Sequence, residues 1–314
     1  MQSRTAIRPT LTSPTPTRPS ATRLTAALLG LAAALLTTSP ASAAEPDRGV
    51  VTIAHRGASA YVPENTLAAI DAARDMGVDW VENDVQRTKD GVLVILHDPT
   101  LARTTDVEQK FPGRAPWNIT DFTWAEISTL DAGSWKGPQW AGLKVPSLEQ
   151  YMNRVEDNDQ SLVLEIKQPQ LHPGLAEDTV DELDRLGWLN RTHVEKKLVV
   201  QSFDAESIKT VHRLRPDVKT GFLGTPAIAD LPAYAAFADQ INSNQGTMSA
   251  GYYAAVHALT GPHGRPLEAF TWTVDDPAAA VRLADQGADG IITNKPDQVA
   301  KALADAGHAS HGED

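Results

Sequence analysis

The sequence predicts an α/β protein, a (β/α)8 TIM barrel with a small insertion after an antiparallel hairpin at its second strand. Three observations predict it. Short β-branched runs recur nine times, and eight of them are joined by links long enough to hold a helix. Eight such units in about 250 residues match the size and period of this barrel. The runs also end in His, Arg, Glu, Asp and Lys, at the strand ends where barrel enzymes carry their chemistry.

The first 44 residues stand apart. They hold four arginines (4, 8, 18 and 23) and no acid. Arg23 leads into "LTAALLGLAAALL", an apolar run too short for a stable membrane span. "TTSPASAAEPD" follows, with small residues at Ala41 and Ala43. That order is the one of a secretory signal peptide, so residues 1–44 are expected to be cleaved near Ala43 and the protein secreted without a stable membrane anchor. No Arg-Arg pair precedes the apolar run, so nothing supports the twin-arginine route.

Without residues 1–44 the chain carries 24 basic against 40 acidic residues, a net charge of −16. That balance disfavours nucleic acid or an anionic membrane as a standing partner. It leaves room for a local anion pocket and a small-molecule substrate. No feature calls for an obligate protein partner. There is no cysteine. Disulfides, thiolate zinc sites and a cysteine-linked lipid anchor are therefore excluded, and stability rests on one large core.

The elements follow in order. Strands are expected at "VVTIAH", "DWVENDV", "VLVILH", "LVLEIK", "LVVQSF", "VKTGFLG", "DQINSN", "AFTWTV" and "GIITN". Only "QRTKDG" separates Val85 from Val92, and Asp90-Gly91 is a turn signal. Six residues cannot make a parallel crossover, so "VLVILH" folds back antiparallel. Helical patterns at Glu64–Met76, Asp204–Leu214 and Pro277–Gln286 fill several other links. An open doubly wound sheet usually shows a Gly-rich first turn, and here that turn is "HRGASAYVPENT". Residues 98–147, with Trp117, Trp124, Trp135 and Trp140, break the period and read as a loop-rich insertion within a domain of residues 45–307. Residues 308–314, "HASHGED", read as a disordered tail.

The strand ends hold the candidate chemistry: His55 and Arg56, Glu82 and Asp84, His97 and Asp98, Glu165 and Lys167, Gln201 and Ser202, Trp272, then Thr293 and Asn294. A period of two puts Glu82 and Asp84 on one strand face, and likewise Glu165 and Lys167. With neighbouring strands ~4.8 Å apart, three carboxylates can converge. They cannot all stay ionised there unless a pKa rises or a cation sits among them. All-oxygen ligands suit Ca²⁺ or Mg²⁺. A pair of glycosidase carboxylates is another reading of acids in a barrel, but it leaves the cations and histidines idle. Arg56 offers a fork to a phosphate, Lys167 a point charge, and two histidines can act as base and acid. That combination fits phosphodiester cleavage.

"HRGASAYVPENTLAAI", "GVDWVENDVQRTKDGVLVILHDPTLARTT", "LEIK", "VVQSFD", "FTWTVDD" and "GADGIITNKPD" resemble, in order, the signature blocks of the glycerophosphodiester phosphodiesterase family. The resemblance runs from about Val51 to Ala300 and is weakest over Thr225–Gly264, where substrate choice is expected to be set. It implies the barrel with its insertion and one divalent cation, Ca²⁺ or Mg²⁺, on Glu82, Asp84 and Glu165. It implies His55 as proton acceptor and His97 as proton donor to the leaving alcohol. Arg56 and Lys167 would hold phosphate oxygens, Glu64 would orient Arg56, Asn65 would tie the loop, and Trp272 would pack on the glycerol or alcohol. The implied activity is hydrolysis of glycerophosphodiesters to sn-glycerol 3-phosphate and an alcohol. The alternative is a lysophospholipase D or sphingomyelinase D-like action on single-chain lipids, with the four insertion tryptophans lining a groove. A binding protein without turnover would need no acid–base pair.

Overall fold

The structure is a computed structural model that describes residues 49–308. The expected signal peptide, with its cleavage near Ala43, lies outside the described residues. Among those residues no helix is long and apolar enough to cross a membrane.

Nine strands form the sheet: β1 (Val51–Ala54), β2 (Trp80–Arg87), β3 (Leu93–Ile95), β4 (Ser161–Ile166), β5 (Leu198–Ser202), β6 (Lys219–Leu223), β7 (Gln240–Asn244), β8 (Glu268–Trp272) and β9 (Gly290–Thr293). Eight are parallel and close on themselves, because β1 pairs with both β9 and β2. β3 pairs antiparallel with the far end of β2, with Val85 opposite Ile95. This is the expected (β/α)8 barrel with its hairpin. All nine expected strands are present, though most are a residue or two shorter than their apolar runs. The ends fray where side chains turn to function: β1 stops at Ala54, which leaves His55 and Arg56 in the following turn.

Alternation along each strand divides the side chains between two layers. Inside the barrel Ile53, Val163, Val199, Phe270 and Ile292 pack on one another. Outside, Val81, Val85, Leu162 and Leu164 pack against helices such as Leu148–Asp157 and Leu175–Arg185. The helix expected at Glu64–Met76 begins at Leu67, where the Thr66 side chain accepts the N–H of Ala69. Glu64 and Asn65 are thereby left in the loop that faces the barrel mouth.

Residues 98–147 contain only short helical turns, at Val107–Lys110 and Trp124–Ile127 among others. They have their own core of Leu101, Ile119, Phe122, Ile127 and Leu130, with Trp117 and Trp124 packed on it. His308, read as the first residue of the tail, is bonded to the fold. The His308 carbonyl accepts the N–H of Val50, and its ring bonds Asp285 at 2.8 Å. Residues 309–314 lie outside the described residues.

Candidate active site

Gly57 shows why the strand β1 ends as it does. Its φ is +79°, and a Cβ there would stand 2.6 Å from the Ala69 carbonyl carbon. Only glycine lets the turn lie so close to the helix behind it. Arg56 before it is also left-handed, with φ 56°. Such a conformation costs on the order of 1–3 kcal/mol and persists only if its surroundings impose it. Here the Arg56 N–H donates to Glu82 Oε2 at 3.0 Å, and the Arg56 carbonyl accepts the N–H of Asn65 at 3.0 Å. Asn65, itself at φ 60°, donates from Nδ2 to Asp84 Oδ2 at 2.8 Å. The turn and the loop thus wrap around the acids of β2.

Glu82, Asp84 and Glu165 face inward from the adjacent strands β2 and β4, with Asp84 beside Glu165 in register. All three are buried, and one oxygen of each lies within 4.8 Å of the others. Their charges are unevenly tolerated. Burial, then the Asp84 charge, push Glu82 well above the usual range, and push Glu165 up to about 8. Burial would raise Asp84 as well, but Arg56 and Lys167 outweigh it and hold Asp84 ionised. Arg56 Nε lies 3.2 Å from Asp84 Oδ2, and Lys167 Nζ lies 2.8 Å from Glu165 Oε1 and 3.3 Å from Asp84 Oδ1. The same acids keep Lys167 and Arg56 charged despite their burial. Three buried carboxylates, of which Glu82 and Glu165 are otherwise driven toward their protonated forms, fit a divalent cation, and an all-oxygen set suits a hard one.

The two histidines differ in their partners. His55 Nδ1 lies 2.7 Å from Asn294 Oδ1. Asn294 can turn only one way, since its Nδ2 donates to Asp275 Oδ2 at 2.8 Å. The His55 proton therefore sits on Nδ1, and the bare Nε2 faces the acids, 4.0 Å from Glu82 Oε2. Burial, then Arg56, lower the His55 pKa to about 4. His97 Nδ1 instead faces a carboxylate, Asp98 Oδ1, at 2.7 Å. Burial lowers His97 too, against the opposing pull of Asp84 and Asp98.

An ion-pair chain joins the two sides. Arg103 donates from Nε to Asp98 Oδ2 at 2.6 Å and from Nη1 to Glu64 Oε2 at 2.8 Å. Glu64 in turn accepts from Arg56 Nη1 at 2.9 Å. Burial would raise Asp98, but the Arg103 and His97 bonds bring it down to about 2.

A cavity of about 110 Å³ opens among these groups, lined by His55, Arg56, His97, Lys167, Gln201 and Trp272 together with Glu82 and Glu165. Trp272 is anchored by its Nε1, which donates to the Asn242 carbonyl at 2.9 Å, and meets Phe203 edge-on at 5.5 Å. A larger groove of about 990 Å³ runs beside the β2–β3 turn. It lacks a comparable acid cluster, as the Glu82, Asp84 and Glu165 group is the one such metal-ligand group among the described residues. None of the four insertion tryptophans lines the smaller cavity: Trp117 and Trp124 pack on the insertion core, and Trp135 is exposed.

All ten singled-out residues come together: seven line the cavity, Asp84 lies beside Glu82 and Glu165, and Glu64 and Asn65 brace Arg56 and Asp84 behind it. Arg103 and Asp275 carried no weight in the sequence reading. Arg103 sits six residues after His97 in a loop, and nothing local shows that it turns back to Glu64. Asn294 was visible as a strand end without a role.

The glycerophosphoryl diester phosphodiesterase family model matches residues 55–298. A glycerophosphodiester phosphodiesterase of Bacillus subtilis is 34% identical over 288 residues, 86% of this chain and 92% of its own. One from Caldanaerobacter subterraneus is 34% identical over 249 residues, 79% of this chain and 95% of its own. Among solved structures, an Oleispira antarctica phosphodiesterase in complex with the product sn-glycerol-3-phosphate superposes with a TM-score of 0.69 at 28% identity, covering 82% of this chain and 97% of that one. By sequence and by fold alike, the chain belongs to the glycerophosphoryl diester phosphodiesterase family.

Proposed function

We propose that the protein hydrolyses glycerophosphodiesters to sn-glycerol 3-phosphate and an alcohol, with His55 as base and His97 as acid. The observation that carries this is the unequal pairing of the two imidazoles across one cavity, Asn294 behind His55 and Asp98 behind His97. Burial and the Arg56 charge outweigh the small stabilisation that a neutral amide gives an imidazolium, so His55 stays neutral and its Nε2 can take a proton. A carboxylate does stabilise one, so His97 is the better acid.

In this reading the Arg56 fork and the Lys167 ammonium hold the phosphate oxygens. Binding that anion adds negative charge beside His97 and favours its protonation. His55 Nε2 then removes the proton of the attacking hydroxyl, and His97 Nε2 protonates the departing alkoxide; attack by water gives sn-glycerol 3-phosphate directly, whereas attack by a glycerol hydroxyl gives a cyclic phosphate that water then opens. Asp84 keeps both cations aligned. Glu82, Asp84 and Glu165 would hold Ca²⁺ or Mg²⁺, which when bound neutralises charge that builds on the phosphoryl oxygens. Trp272 packs on the carbon skeleton of the substrate.

Turnover of glycerophosphocholine, with the products identified, tests the proposal. EDTA should abolish it and Ca²⁺ or Mg²⁺ restore it. Full activity in protein shown metal-free by elemental analysis would refute the metal requirement. A single-chain lysophospholipid and other head groups in the same assay test the alternative substrate class.

We also propose export, with cleavage near Ala43, on the strength of the Arg-then-apolar-then-small order of residues 1–44. N-terminal sequencing of the protein from culture medium checks it, and retention of Arg23 would refute it.

A further inference from the structure

Gly221 of β6 leaves a gap in the barrel interior, and a chain of amides crosses it. Gly221 stands in register between Gln201 of β5 and Gln240 of β7. A Cβ on it would lie 2.7 Å from Nδ2 of Asn242. Because no side chain is there, Asn242 reaches over β6 and donates from Nδ2 to Gln201 Oε1 at 2.8 Å.

The direction of this chain is set at its far end. Glu268, paired with Lys219 at 2.8 Å, accepts from Gln240 Nε2 at 2.7 Å. Gln240 must then turn its oxygen to Asn242, whose Nδ2 lies 3.3 Å away. Asn242 offers N–H groups to both glutamines, so Gln201 must answer with its oxygen. What remains of the Gln201 amide is its NH₂ group. That group has no hydrogen-bond partner among the described residues, although Gln201 is only 1% exposed and lines the cavity. The buried polar atom left without a partner in this chain of amides is Asn242 Oδ1, whereas the Gln201 NH₂ group opens on the cavity, where a ligand atom can accept from it.

The phosphate already has Arg56 and Lys167. Gln201 pairs in register with Glu165, one inward step below Lys167, and it sits among Phe203, Leu223, Trp272 and Ile292. Those apolar neighbours suit a carbon skeleton, and the amide suits a hydroxyl on it. We infer that Gln201 determines specificity by donating from Nε2 to a hydroxyl oxygen of the substrate's glycerol moiety. Asn242 and Gly221 are positioning residues that keep this donor aimed into the cavity. The inference rests on the glycerophosphodiester reading above.

The test is binding, which does not depend on how the nucleophile is supplied. sn-Glycerol 3-phosphate and n-propyl phosphate share the phosphate and the three-carbon skeleton and differ only in hydroxyls. Calorimetry with saturating Ca²⁺ should show the wild-type chain binding the glycerol compound about tenfold more tightly. Gln201→Leu should bring that ratio near one. So should Asn242→Asp, which puts an oxygen where Nδ2 stands, turns the Gln201 amide over and changes no cavity-lining side chain. Gly221→Ala pushes Asn242 away and serves if the buried acid of the other variant prevents folding. A wild-type ratio near one, or variants that melt like the wild type and keep its ratio, would overturn the inference. Either of those results with wild-type glycerophosphocholine turnover intact overturns the inference alone, whereas no turnover by the wild type removes the reaction itself.

Discussion

The amide oxygen of Asn294 accepts the Nδ1 proton of His55 at 2.7 Å, across 239 residues of sequence. This contact fixes the tautomer of the ring and leaves Nε2 free to accept a proton. Because the ring is buried and lies beside Arg56, and its partner is only a neutral amide, His55 stays deprotonated far into acid, with a pKa of about 4. A base works above its pKa, so the acidic limb of kcat/KM in metal-saturated enzyme should fall at or below that value, since a cation on the neighbouring acids also disfavours the imidazolium. Asn294→Asp supplies a carboxylate that stabilises the imidazolium. The limb should then move upward by about one pH unit or more, and the rate at low pH should drop. An unmoved limb would show that His55 is not the group whose protonation it reports.

His97 should matter most for poor leaving groups. General-acid assistance is worth about 10²–10⁴-fold where a proton is needed. His97→Ala should therefore lose that much on glycerophosphocholine and far less on a p-nitrophenyl diester of glycerol phosphate. His55→Ala should lose activity on both. The measurement is kcat/KM for each pair, with metal content checked. Equal losses for His97→Ala on the two substrates would reverse the assignment of acid and base.

Arg103 holds Asp98 and Glu64 at once, and so ties the acid side to the phosphate side. Arg103→Ala should lower kcat/KM by about 10- to 100-fold through misplacement of His97 and Arg56. Arg103→Lys should recover only part, because an ammonium cannot fork between two carboxylates. If positioning is the cause, the loss should be smaller with the p-nitrophenyl substrate, as for His97. A uniform loss accompanied by a lower melting temperature would mark a merely structural residue.

Gly57→Ala places a methyl 2.6 Å from backbone of the following helix at a left-handed φ. Both faults act together, and a stability loss of about 1–3 kcal/mol is expected from urea denaturation. Gly91, also left-handed but with nothing within 4 Å of a would-be Cβ, should cost less on the same substitution. A larger loss at Gly91 would contradict the crowding argument.

Much of this was legible along the chain, for a local reason. Strand periodicity is a property of a few successive residues, so the apolar runs marked all nine strands and put Glu82 with Asp84, and Glu165 with Lys167, on shared faces. The short "QRTKDG" link forced the β2–β3 hairpin by length alone. The barrel's habit of working at its strand ends then gathered the two histidines, the acids and the cations at one mouth. Their orientations were not legible, because they depend on partners brought together only by closure. Asn294 reaches His55 because β9 pairs with β1. Arg103 becomes a bridge only when the insertion folds back over the loop that holds Glu64. Asn242 aims Gln201 only because the strand between them carries a glycine at that register. Residue types and spacing determined which groups meet in this protein. Which atom carries the proton, and which way each amide turns, was decided by hydrogen bonds between segments far apart in sequence, since a buried donor or acceptor takes the partner the closed fold provides.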